Sequence, residues 1–249
     1  MEEIPHSQKY SRFFGLHFLA LFLNVSLFVP PTNALWQWVD TQCFLLLNSY
    51  VAQHPLQQIF WALGNVKVTD LFGASFLVLF FLLYVLEAAG KERQKRYAQL
   101  IYALVWFEIT MFSCKQIATP YLSNLGWGRH SPSVMLNHSL QLSDVAPWLK
   151  IKDSSFFCFP ADHAFVAFLW CSFIWFFAGR RSGIMAFSLS WIFLLPRLIA
   201  GAHWLSDALV GSTSVVAIAM AWATCTPLFP KGMNFLYRFT GYQQGEAHV

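Results

Sequence analysis

The chain has 249 residues, of which 57% are hydrophobic and 11% charged, with a formal net charge of +4. A soluble domain carries about a quarter charged residues, so this balance excludes an ordinary soluble protein and points to a single helical membrane domain, 1–249. The Lys and Arg residues are dispersed in short segments, with no basic stripe interleaved with exposed aromatics, which excludes nucleic acid as a partner.

The pattern predicts an all-α integral membrane fold of six spans, with an interfacial helix and a long outer loop. The apolar run 13–29 follows Lys9 and Arg12 and stops at Pro30-Pro31; without a small-x-small cleavage site it reads as an uncleaved first span. Residues 36–59 mix Trp36, Trp38 and Asp40 with glutamines, which suits a helix lying in the interface. The second span is expected at 69–87, a basic loop at 90–96 and the third span at 98–119. A polar outer loop, 120–162, leads to spans at 163–178, 184–200 and 203–228. Placing the N-terminus inside puts Lys91, Arg93, Lys95, Arg96, Arg180 and Arg181 on the cytoplasmic side, as the excess of positive charge there requires. Glu108 falls in mid-span, where a charge is costly, and is expected to pair with Lys115 two turns on or to stay protonated. The five cysteines show no CxxC or zinc spacing and read as packing residues, with Cys43 and Cys158 the one pair that topology would allow to bridge.

Three segments carry the chemistry. In Arg197-Leu-Ile-Ala-Gly-Ala-His203-Trp-Leu-Ser-Asp207, His203 and Asp207 are four apart and on a helix would share a face. The carboxylate would then fix the imidazole tautomer, while Arg197 offers a planar fork to phosphate oxygens. The competing reading is a snorkelling arginine beside a structural His–Asp pair. In Phe159-Pro160-Ala161-Asp162-His163, the proline precedes a helix start whose free N–H groups favour an anion. Asp162 is either that helix's N-cap or a support for the site, and His163 a candidate general acid. In Arg129-His130-Ser131-Pro132, Arg129 could supply a second guanidinium and Ser131 a hydrogen bond. Lys115, at the outer end of the third span, either binds phosphate or snorkels.

The order Arg-x5-His-x3-Asp, preceded by Pro-x2-His and an upstream Arg motif, resembles the type 2 phosphatidic acid phosphatase superfamily, and within it the lipid A 1-diphosphate synthases of Gram-negative bacteria. The matching stretches are 159–163, Pro196-Arg197, 201–204, Asp207 and 210–212, with 63–65, Lys67 and Asp70 also similar. The resemblance implies a lipid phosphotransferase or phosphatase. His203 would be the nucleophile that forms a phosphohistidine, Asp207 its orienter and His163 the acid for the leaving group, with Arg129, Arg197, Lys115 and Ser131 on the phosphate. It further implies transfer of the distal phosphate of undecaprenyl diphosphate to the 1-phosphate of lipid A, in a multi-pass bacterial inner-membrane enzyme whose site faces the periplasm. Plain hydrolysis of undecaprenyl diphosphate, phosphatidylglycerol phosphate or lipid A 1-phosphate uses the same groups. A non-catalytic transporter or scaffold and a vanadium haloperoxidase are the remaining readings. No acidic cluster of metal-ligand type accompanies the histidines in the sequence, so neither a metal nor any other cofactor is expected.

The family's first motif, Lys-x6-Arg-Pro, is interrupted: Leu122 stands seven residues before Arg129, Tyr121–Gly128 looks inserted, and Pro-Ala-Asp-His replaces the common Pro-Ser-Gly-His.

Overall fold

In a computed structural model, residues 6–124, 126, 128–136 and 139–242 are described; Leu125 and Trp127, inside the stretch that looks inserted, lie outside them. The described residues are helical, and their β pairing is limited to one isolated bridge, Val66–Ile151. Helix α1 (His6–Ser26) ends in a short turn, and α2 (Pro30–Ala52) starts with its two prolines at the first helical positions, where a missing N–H costs nothing. The two helices bend by 80°, so when α1 crosses a bilayer α2 lies close to its plane. The expected interfacial segment is thus two helices, since Pro55 starts a separate α3 (Pro55–Leu63).

Helix α4 (Lys67–Leu86) is followed by α5, which runs unbroken from Gly90 to Asn124. The expected basic loop at 90–96 is therefore the first turns of α5. Arg96 is held there by the Tyr84 carbonyl (2.7 Å) and by Glu92, and good helix formers prevail over local charge repulsion. Two short helices, α6 (Pro132–Met135) and α7 (Leu142–Val145), punctuate the segment before α8 (Asp162–Ala178), α9 (Arg180–Ile199), α10 (Asp207–Cys225) and α11 (Leu228–Thr240). The sixth expected span starts four residues late, because 203–204 form a turn, and α11 is an additional amphipathic helix beyond it, with Gly232 packed against Tyr102 of α5.

Among the described residues, four helices, α4, α5, α9 and α10, are long and apolar enough to cross a membrane, or five when the bent α1–α2 pair is counted as one span. At 17 residues α8 is apolar but spans only about 26 Å, a little under the hydrocarbon thickness. Small residues along α10 (Ala217, Ala221, Ala223) let α1 and α8 approach its backbone, as lipid-embedded helices require. Phe81, Phe165, Trp170 and Phe173 fill the core between α4, α5 and α8. Glu108 lies exposed on α5 without an ion pair among the described residues, and all five cysteines are free thiols, so neither the Glu108–Lys115 pair nor a Cys43–Cys158 bridge forms.

The tight turns at Glu87–Ala89 and Gly179 gather the basic residues of α5 and α9 at one end of the bundle. The other end collects the start of α4, the end of α5, the start of α8, the end of α9 and the start of α10. Over it lies the 128–161 segment, tied down by Ser133 N–H to the Gly201 carbonyl (3.2 Å) and Cys158 N–H to the Arg129 carbonyl (3.0 Å). Two π-helical turns, Ser113–Ala118 and Asp207–Ser212, both fall at this end, where such irregularities often mark function.

Candidate active site

His203 sits in the turn between α9 and α10. Gly201 creates that turn with φ +74°, and a Cβ there would meet the Phe44 ring at 2.8 Å, so only glycine fits without strain. Because residues 203–204 are not helical, the four-residue spacing does not stack His203 on Asp207. Asp207 Oδ2 is 3.9 Å from Nδ1 and instead accepts the Trp204 N–H at 2.7 Å. The group that holds Nδ1 is the Cys158 carbonyl, at 2.8 Å. A carbonyl only accepts, so Nδ1 carries the proton and Nε2 keeps its lone pair. Nε2 is buried without a hydrogen-bond partner and has the Asp162 carboxylate at 3.6 Å. A buried imidazole nitrogen left unpaired with its tautomer fixed is a poised nucleophile.

Asp207 belongs to a second cluster. Its Oδ1 accepts from Arg129 at 2.6 Å, and the other arm of that guanidinium reaches Asp40 at 2.6 Å. Asp40 also accepts the Ser206 backbone N–H (2.8 Å) and hydroxyl (2.5 Å). Arg129, expected on the phosphate, is thus engaged by two buried carboxylates; burial opposes its charge, but Asp207 and Asp40 outweigh that and raise its pKa. Ser131 is likewise turned inward, accepting the Ser155 N–H at 2.9 Å beneath the surface, because its segment must satisfy its own backbone. The Cys158 thiol donates to the Arg129 carbonyl, and burial with Asp207 nearby pushes its pKa far up, so it stays protonated and inert.

The residues that face the open side are His163, Asp162, Asp70, Lys115 and Lys152, with Arg197 buried behind Asp70. Asp162 is the first residue of α8, not its N-cap, which is Ala161. Its Oδ1 takes both the N–H (2.9 Å) and Nδ1 (2.6 Å) of His163, so the helix-start N–H expected to bind an anion already faces a carboxylate. His163 Nε2 points to Asp70, 3.3 Å away, and the two imidazole centroids are 6.4 Å apart. Arg197, buried in the last turn of α9, donates through one arm to the Asn65 side chain (3.2 Å) and the Lys152 carbonyl (3.2 Å), and through the other to Asp70. Lys115 and Lys152 reach Asp162 at 3.4 and 3.8 Å, with side chains 48% and 50% exposed.

The fold therefore assembles His203, His163, Asp162, Arg197 and Lys115, while Asp207, Arg129 and Ser131 stand behind them. Sequence reasoning missed Lys152 and Asp40, and the Cys158 carbonyl carried no signal at all. Asp40 had a faint one, as an isolated carboxylate in an apolar stretch of a chain poor in charge.

A cleft of about 790 Å³ opens from this cluster. Its charged rim is Asp70, Lys115, Lys152, Asp162 and His163. Moving away from the rim along each helix, the lining turns apolar: Leu77 on α4, Met111 on α5, Val166 on α8, Ile192 and Phe193 on α9. A charged mouth on an apolar slot between membrane helices matches an amphiphile with an anionic head.

Residues 115–231 match the PAP2 superfamily, and the chain is an enzyme of the phosphatase type. The match begins at Lys115. Over 223 residues the chain is 26% identical to the lipid A 1-diphosphate synthase of Escherichia coli (strain K12), covering 88% of this chain and 90% of that one. No solved structure matches.

Proposed function

We propose that this enzyme is a membrane phosphotransferase that takes the distal phosphate of undecaprenyl diphosphate and passes it to the 1-phosphate of lipid A at the periplasmic face. The buried, unpartnered Nε2 of His203 carries the proposal. It attacks the distal phosphorus in line, the P–O bond to the proximal phosphate breaks, and a phosphohistidine forms. His163 gives its Nε2 proton to the departing oxygen. Its Nδ1 faces Asp162, and its Nε2 has Asp70 and the Arg197 guanidinium both at 3.3 Å. Arg197, Lys115 and Lys152 surround the position that the phosphoryl oxygens would take, and Asp70, to which Arg197 and His163 now point, must share or yield that position. The lipid A phosphate then attacks the phosphohistidine and regenerates the free imidazole. An acceptor that is already an anion needs no base to deprotonate it.

The apolar cleft supports a lipid donor, and the relative's name supports the lipid A acceptor. Six spans, with α8 and the bent pair both crossing, and basic residues of α5 and α9 inside, would face the site outward. A second reading, hydrolysis to inorganic phosphate, is favoured by one observation: the half-exposed lysines leave the mouth open to water. Purified protein incubated with undecaprenyl diphosphate labelled in the distal phosphate, with and without lipid A, decides between them. Labelled lipid A diphosphate is expected; label appearing only as inorganic phosphate would leave hydrolysis as the activity.

A further inference from the structure

The sequence gives no reason to expect a metal, yet the fold brings three ligand-type side chains together. Asp162, His163 and His203 each offer an atom within 4.8 Å of the other two. Two come from the first turn of α8 and one from the turn before α10, so the grouping exists only in three dimensions. We propose that these residues form an inhibitory site for a borderline-soft divalent cation such as Zn²⁺, held by the two imidazoles and the Asp162 carboxylate.

Two independent observations point to a ligand there. His203 Nε2 is buried in a residue only 4% exposed and has no hydrogen-bond partner. Its Nδ1 donates to the Cys158 carbonyl at 2.8 Å, the outer contact that metal-binding histidines use to fix orientation and direct the other nitrogen at the ion. Two nitrogens and one carboxylate oxygen leave a fourth tetrahedral position for water or a phosphate oxygen. A ligand separation of up to 4.8 Å has to contract to reach zinc at about 2.0–2.2 Å. His163 and Asp162 are partly exposed and already in contact at 2.6 Å, so the contraction falls mainly on the 3.6 Å gap between Asp162 and His203. Ligation needs neutral imidazoles, so His163 releases to solvent the proton it shares with Asp162. The cations nearby do not close the site: Lys115 and Lys152 are half exposed and can swing to water, and Asp70 offsets Arg197.

The consequence for turnover rests on the function proposed above. A metal on His203 Nε2 occupies the lone pair that attacks phosphorus, and a metal on His163 Nδ1 ties that ring down beside it. Zinc would then inhibit by competing with the donor lipid, and a chelator would reverse it.

The test uses the full chain in detergent, with Zn²⁺ binding followed by calorimetry and Co²⁺ by its visible absorption. One ion per chain is expected, with cobalt bands of tetrahedral N/O type. His203→Ala and Asp162→Asn should each weaken binding at least about tenfold. His54→Ala, which alters an exposed histidine elsewhere, should bind as the parent does. Elution as a single species and a retained cooperative melting transition exclude misfolding as the cause. Absence of micromolar binding, or binding that survives both substitutions, would overturn the site. The binding arm needs no substrate: a chain that binds zinc here but transfers no phosphate would sink the function and keep the site, and a chain that transfers phosphate but ignores zinc would do the reverse.

Discussion

Two ionic clusters flank the His203 turn, built from the same residue types but finished differently. On one side, Arg129, Asp40, Asp207 and Ser206 form a closed set in which both carboxylates are at most 1% exposed and both guanidinium arms are taken. On the other, Asp70, Asp162, His163 and two lysines form an open set that lines a cleft, with the buried Arg197 behind it bonded to Asp70. In the closed set both carboxylates and both terminal arms of Arg129 are already committed to one another. Breaking it leaves a buried charge unpaired, at a cost of about 3–5 kcal/mol. In the open set the two lysines sit half in water, where their contacts are weak and exchangeable. A charge at membrane depth can thus be framework or reagent, and what separates the two is whether its hydrogen bonds are already satisfied.

His203, between the sets, gives the largest effect. Replacing it with Ala removes the nucleophile and should lower turnover at least about 10⁴-fold, with no acid-labile phosphoenzyme trapped from labelled donor. Melting temperature should fall modestly, since the buried ring's Nδ1 bond to the Cys158 carbonyl is lost, and turnover is therefore read per folded molecule. Residual turnover near the parent's would place the nucleophile elsewhere.

Asp207→Asn probes the closed set and should separate stability from chemistry. In hydrolytic triads the equivalent swap costs about 10⁴ because the histidine loses its tautomer. Here the Cys158 carbonyl holds the tautomer. The expected outcome is a lower melting temperature, from the broken Arg129 pair, with turnover per folded molecule reduced only about 10–100-fold by the lost charge near the imidazole. A loss as deep as that of His203→Ala, measured on folded protein, would return Asp207 to the orienting role that the sequence suggested.

That difference shows what could be read from residue order. The helical class and the spans at 69–87 and 184–200 were legible because apolar runs between prolines, glycines and charges report burial in lipid directly. Arg197, His163 and His203, singled out because costly charges at span ends need a use, do come together in the fold. Pairing was not. A four-residue spacing implies contact only on a helix, and Gly201 ends that helix before His203. The partner of Arg129 lies 89 residues away on α2, and the carbonyl that orients His203 lies 45 residues away in a loop; neither separation leaves a periodic trace. Lys115 looked displaced from its motif by an insertion, yet the π-helical turn at 113–118 brings it to Asp162.

Lys152 gives the smallest and most discriminating test. It comes from the loop over the site, its side chain is half exposed, and its ammonium is 3.8 Å from Asp162. An exposed pair of that kind contributes roughly 0.2–1 kcal/mol, so Lys152→Ala should leave folding intact. If the open set serves the substrate, the lysine's partner in the loaded site is the phosphoryl group, and its loss should raise KM up to about fivefold with kcat nearly constant, the mark of binding shared by ground and transition states. The effect should shrink as salt rises, because a half-exposed charge is screened. A fall in kcat with KM unchanged would make Lys152 a partner of the developing charge, and no change in either would confine the binding set to Arg197 and Lys115. In the closed set no such graded, salt-sensitive response is expected from Asp40 or Asp207, because both carboxylates are at most 1% exposed and out of reach of the ions that do the screening.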